Sequence, residues 1–172
     1  MVFCGSEFAY ETVLSTPVAA PLAAVLTGVS TGVIGPFVAV CVACGALAAV
    51  VMDFPMARQA EGFTPAYIAT SVLARSRPSS VDFRRAFLVH HVAGAAAGVL
   101  YALVYLVSAG ALPGVAAIGG VGAIPHVLAT ITVSVFIYAF FAHLVLPRRG
   151  RGIYEERSTA VRGQWLRSAV VF

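Results

Sequence analysis

Two long stretches without formal charge constrain this chain more than any other feature. Leu14 to Met52 is a run of 39 residues lacking Asp, Glu, Lys and Arg, and Ala86 to Pro147 is a second of 62. A helix needs about 20 apolar residues to cross a hydrocarbon core roughly 30 Å thick, so together the runs hold about four crossings. Only 10% of the chain is charged, against about 25% in an average soluble domain. That leaves too little polar surface to enclose a globule. The fold class is therefore all-α, a polytopic transmembrane helical bundle.

Where the spans begin and end follows from proline and arginine. As one helix the first run would extend about 58 Å, nearly twice what a crossing needs. Gly35-Pro36 is the expected break, because proline lacks an N–H and disfavours a helical residue before it. The predicted spans are about 12–31, 36–53, 84–108 and 121–146, after an N-terminal segment 1–11. Pro17 and Pro21 weaken the first, so three spans behind an interfacial segment is the alternative. Pro55 is expected to stop the second.

The connection 54–83 is too long for a passive turn. Thr64 to Arg75 reads as a short helix, with Thr64 as N-cap, Pro65 in the first turn and Arg75 complementing the C-terminal dipole. Ile68, Ala69 and Val72 share a face, which places it along the membrane surface or under the bundle. Ser79 and Asp82 have the spacing of a capping box for the helix that opens at Arg84. The tail 148–172 alternates arginine with Trp165, Leu166 and Val170-Val171-Phe172, the pattern of a segment resting at the interface.

All eleven basic residues are arginine, which points to a GC-rich, prokaryotic genome. Arg58, Arg75, Arg77, Arg84 and Arg85 precede the third span, the rest follow the last, and the loop 109–120 has none. Basic residues beside spans mark the cytoplasmic side. The expected location is thus the cytoplasmic membrane, with the C-terminus inside. The net charge of +4 is read as meeting lipid headgroups and not nucleic acid.

GxxxG occurs at Gly28/Gly32 and Gly94/Gly98, small residues that let helices approach closely. All four glycines are expected at helix contacts. At 100° per residue, Phe87, His90, Gly94, Gly98, Tyr101 and Tyr105 share one helix face, and His91 lies about 100° round. His90 lies about 8 Å along its helix from Arg85, and His143 about 6 Å from Pro147 at the matching end of the last span. Asp53 closes the second span at the same level. These positions give a candidate inner-face polar cluster of Asp53, His90, His91 and His143, since ionisable groups at membrane depth are functional hypotheses.

The cluster has three readings: hydrogen-bonding glue between helices, a proton or small-solute carrier, or a haem or metal redox subunit with Arg84, Arg85 and Arg148 near propionates. His126, Thr130 and Ser134 form a further polar stripe, whose hydroxyls can equally bond back to their own helix. Cys41-x-x-Cys44 lies inside a span with no charge to activate a thiol, so it reads as packing. There is no Walker A, no H-E-x-x-H and no nucleophile elbow. The expectation is a non-enzymatic helix-packing or accessory membrane protein, a homo-oligomer or a partner of another membrane subunit. No catalytic residue is assigned, and neither a cofactor nor a metal is expected.

Overall fold

The computed structural model describes residues 31–112, 117–118, 121–149 and 151–171. All but the last residue of the predicted first span, and Gly28 with it, lie outside them. Six α-helices follow in chain order: α1 (Thr31–Ala57), α2 (Thr64–Leu73), α3 (Phe83–Ala111), α4 (Ala123–Ala139), α5 (Leu146–Arg149) and α6 (Arg151–Val171). A π-helical segment, Phe140–Val145, joins α4 to α5. A two-residue antiparallel pair, Ala117–Ile118 with Val121–Gly122, lies between α3 and α4. Three helices among the described residues are long and apolar enough to span a membrane: Val33–Ala57, Phe83–Ala111 and Ala123–Arg149. Their outer faces carry Val40, Leu47, Val92, Leu103, Ile131 and Val135, all more than half exposed, an apolar belt suited to a lipid surrounding. The protein is a multi-pass membrane protein.

Several boundaries differ from the sequence reading. Gly35-Pro36 does not break the chain, for α1 runs through Pro36 and also through Pro55 to Ala57. Pro36 stands in the second turn and Pro55 in the last, so each removes only a bond near an end of the helix. The place of Gly32 in the chain changes with them. Expected in the connection before the second span, as the packing partner of Gly28, it is instead helical in the first turn of α1. The bond that Pro36 forgoes is the one to the Gly32 carbonyl, four residues back. Gly28 lies outside the described residues, and among the described contacts α1 packs through Gly45.

The connection and its caps also differ. Ser79 does not cap α3. It lies in a separate 3₁₀ turn, Pro78–Ser80, and Asp82 is itself the N-cap, accepting from the Arg84 N–H at 3.1 Å. Phe63, not Thr64, precedes α2, and α2 stops at Leu73. Arg75 then takes a positive φ of 51°. There its N–H reaches the Val72 carbonyl and the next N–H, that of Ser76, reaches Ser71, the closing bonds of a Schellman turn.

The core begins with α1 against α3. Cys41, Gly45 and Ala49 recur every four residues on α1 and are buried; Ala86, His90, Gly94, Gly98 and Ala102 do the same on α3. The helices run antiparallel, with Cys41 beside Gly98 and Gly45 beside Gly94. A methyl group on Gly98 would overlap the Cys41 carbonyl, and one on Gly45 would overlap that of Gly94. Backbone therefore touches backbone. This face is occupied within the chain, so Gly94 and Gly98 have no room for a second copy. Cys41 serves the packing expected of it, whereas Cys44 is exposed, and both are free thiols.

At the end bearing Arg84, Arg85, Arg148 and Arg149, α2 and α6 close the bundle. Ile68 packs with Leu146 and Val161, all fully buried, so α2 lies under the helices while Val72 faces outward. The tail is likewise not a free interfacial segment. Trp165 is buried and meets the Phe141 ring edge-on at 5.0 Å. Gln164 accepts from the Glu61 N–H at 2.8 Å.

The π segment explains how the last span passes Pro147. Leu146 N–H reaches back five residues to Phe141, bypassing Ala142, whose next possible donor would be Pro147, which has no N–H. The Arg162 Nε–H on α6 donates to that Ala142 carbonyl at 3.1 Å.

Two outcomes test this packing. Gly98→Ala should cost about 3 kcal/mol because helix backbones must part, while Gly35→Ala, with nothing within 4 Å, should gain about 0.5–1 kcal/mol. Thermal unfolding in detergent measures both. Arg162→Ala should loosen α6 by about 1–3 kcal/mol by orphaning a carbonyl. The fluorescence of Trp165, the only tryptophan, should then shift to the red before the spans unfold.

Candidate polar site at the end of the helix seam

The four-residue stripes set the site. After Cys41, Gly45 and Ala49, the next position on α1 is Asp53, and the facing stripe of α3 carries His90 before its glycines. Close approach of the two backbones thus brings a carboxylate against histidine at the arginine end. Asp53 Oδ1 lies 3.4 Å from His90 Nε2, and Oδ2 lies 3.2 Å from His91 Nε2. His90 is buried at 9% exposure; Asp53 and His91 are each 21% exposed. The Phe87 ring lies 4.3 Å from that of His91, and Phe63 meets His90 edge-on at 6.4 Å. Aromatic walls keep the group from bulk water on those sides.

The partners fix the protons. His90 Nε2 is 3.3 Å from the Ala49 carbonyl, an acceptor only, so Nε2 carries hydrogen and donates. Asp53 Oδ1 sits beside that nitrogen without an aligned hydrogen bond. His91 Nδ1–H donates to the Phe87 carbonyl at 2.9 Å. Its other nitrogen faces Asp53 Oδ2. With Nδ1 protonated, a neutral ring would turn a lone pair on Nε2 toward an ionised carboxylate. The contact is an ion pair when His91 carries a second proton.

Of the four residues expected to cluster, the structure brings together Asp53, His90 and His91. His91 joins although it lies round the helix from the packed face, because the carboxylate offers an oxygen to each ring. His143 does not join. It is exposed in the π segment, its ring 6.1 Å from that of Tyr138. The extra residue per π turn rotates it relative to a regular helix. Among the described residues no group of three or more His, Cys, Asp or Glu has an arrangement that could hold a metal ion. Arg58 stacks on the Phe54 ring at 3.7 Å and Glu61 accepts from the Thr64 hydroxyl at 2.6 Å.

A second polar group lies at the opposite end. Tyr101 Oη and His126 Nδ1 share a hydrogen bond of 2.6 Å between α3 and α4, and Tyr105 Oη accepts from the Gly122 N–H at 3.0 Å. Thr130 bonds back to the His126 carbonyl at 2.9 Å. Sequence reasoning placed Phe87 beside His90 but missed the Ala49 carbonyl and the Phe63 ring. The continuation of Cys41 and Gly45 into Ala49 and Asp53 was the available signal.

Comparison with protein families, curated proteins and solved structures finds no match.

A double-mutant cycle checks the site. Asp53→Asn with His91→Gln should return a coupling of about 1 kcal/mol in thermal unfolding, and Asp53→Asn with His143→Gln none. Equal couplings would restore His143 to the cluster.

Proposed function

We propose that this chain is a small, non-enzymatic multi-pass membrane protein of accessory type. It sits in the cytoplasmic membrane with the arginine end, α2, α6 and the C-terminus on the cytoplasmic side. The observation that carries this reading is the seam between the two polar groups. His90 and Tyr101 are about 16 Å apart along α3, and the turns between them hold Gly94 and Gly98, pressed on the backbone of α1. Water and solute need space that this contact excludes. The Asp53–His90–His91 group accordingly pins α1 to α3 at one level of the membrane and does not feed a path across it. An accessory role, alongside another membrane subunit or further copies, suits a bundle with lipid-facing surface and no motif for covalent chemistry.

The second reading, a proton carrier, draws on one observation. His91 lies between two acceptors, the Phe87 carbonyl at Nδ1 and the Asp53 carboxylate at Nε2, the arrangement of a proton relay. Proteoliposomes with an internal pH dye and a potassium diffusion potential distinguish the two. The accessory reading expects no proton flux above protein-free vesicles, with Asp53→Asn changing only stability. Flux that Asp53→Asn abolishes would replace it with the carrier.

A further inference from the structure

A cavity of about 360 Å³ lies between α3 and α4 at the arginine end, closed below by α2 and α6. Met56, Ala66, Ala97, Phe141 and Ala169 are among its walls, so α1, α2, α3, the π segment and α6 all contribute. Its exposed wall residues are Ala93 and Ala96 of α3, Phe136 of α4 and Phe140 of the π segment. The mouth therefore lies between two apolar spans and opens into the hydrocarbon layer.

Water does not suit this space. At about 30 Å³ each it would hold roughly ten molecules, and each wants two to four polar partners. The wall is nearly all carbon. Of its polar side chains, His90 commits Nε2 to the Ala49 carbonyl and Asp53, and Ser168 turns its hydroxyl to the Gln164 carbonyl at 3.3 Å. The Trp165 nitrogen is buried and does not reach the space. That leaves the Tyr138 hydroxyl and the second His90 nitrogen, too few for a wet chamber. An empty void forfeits contacts for the atoms that line it, whereas a hydrocarbon chain restores them. The volume is more than twice the roughly 150 Å³ that admits benzene. It takes a length of chain and leaves the rest of a lipid outside.

Each span framing the mouth ends in a pair of exposed arginines, Arg84 and Arg85 on α3 and Arg148 and Arg149 on α5. Among the described residues none of the four has a carboxylate partner. Arg85 lies about 12 Å along α3 from Ala93, less than the roughly 15 Å depth of one leaflet's hydrocarbon. A lipid whose chain enters the mouth at Ala93 thus holds its phosphate at the level of the arginines. We propose that this cavity binds one acyl chain of an anionic phospholipid from the leaflet at the arginine end, its headgroup held by the arginines of α3 and α5. The site goes beyond the accessory reading and stands whether or not that reading does, because it depends on the cavity and the arginines and not on the seam.

Trp165 is the sole tryptophan and stands on the cavity wall, so bromine on a bound chain quenches it. The full chain is reconstituted in phosphatidylcholine nanodiscs containing a rising fraction of chain-brominated phosphatidylglycerol, or of phosphatidylcholine brominated in the same way. Quenching by phosphatidylglycerol should saturate, with its half-point at a mole fraction at least about fivefold lower, what one arginine near a charged surface contributes. Ala96→Phe fills the mouth from an exposed position and should remove the saturable part while leaving the unfolding temperature unchanged. Ala93→Leu, on the same rim, should act in the same direction. Arg84→Gln with Arg148→Gln should raise the half-point for phosphatidylglycerol to that of phosphatidylcholine. Quenching that grows in proportion to bromine, and is unchanged in both rim variants, is contact with surrounding lipid and overturns the site. Saturation at equal fractions of the two lipids overturns the headgroup assignment.

Discussion

The contact on which the rest depends is backbone against backbone, where Gly45, Gly94 and Gly98 let α1 and α3 approach until carbonyls meet Cα atoms. In a bilayer there is no hydrophobic gain from bringing two apolar helices together, since lipid tails solvate them equally well. Close packing and polar bonds must supply the attraction. Small residues every four positions on both helices provide a continuous strip for the first. The second comes where the strip ends, at Asp53 and the histidines.

That order explains why the polar group sits where it does. A carboxylate in the last turns of a membrane helix is disfavoured by burial and by the helix dipole. It is tolerable here because the seam brings two imidazoles within 3.4 Å and 3.2 Å of its oxygens. The histidines in turn have their other bonds assigned by carbonyls of Ala49 and Phe87. The group adds register to a contact that glycine alone leaves free to slide. At the other end, Tyr101 and Tyr105 fix α3 to His126 and Gly122, so α3 is held at both levels.

The arginine end is built differently. Its stability comes from side chains of separate elements, Ile68, Leu146 and Val161, and from one side chain repairing a backbone defect. Pro147 removes a donor, the π segment redistributes the remaining bonds, and Arg162 caps the carbonyl left over. This end also carries the indole nitrogen of Trp165, buried without a hydrogen-bond partner. Packing there is between helices of unequal length and direction, which leaves a void where the seam leaves none.

Periodicity and charge made much of this legible. The span predicted at 84–108 is found at Phe83–Ala111, because unbroken apolar sequence between arginines has one stable state in lipid. The face bearing His90, Gly94 and Gly98 followed from helical geometry, and matching depth predicted its meeting with Asp53. Proline misled, since its effect depends on whether a neighbouring bond can be spared, as at Pro36, or rearranged, as at Pro147. His143 misled because depth along a helix says nothing of rotation once a π turn intervenes. By itself the sequence determined that the segments around 36–53, 84–108 and 121–146 are apolar enough to span a membrane, and which side chains share a face and a level. Only the tertiary structure decided which faces meet, that the Gly94/Gly98 stripe is satisfied within the chain, and that the tail buries Trp165. Those outcomes rest on contacts between residues far apart in the chain, where local pattern carries no information.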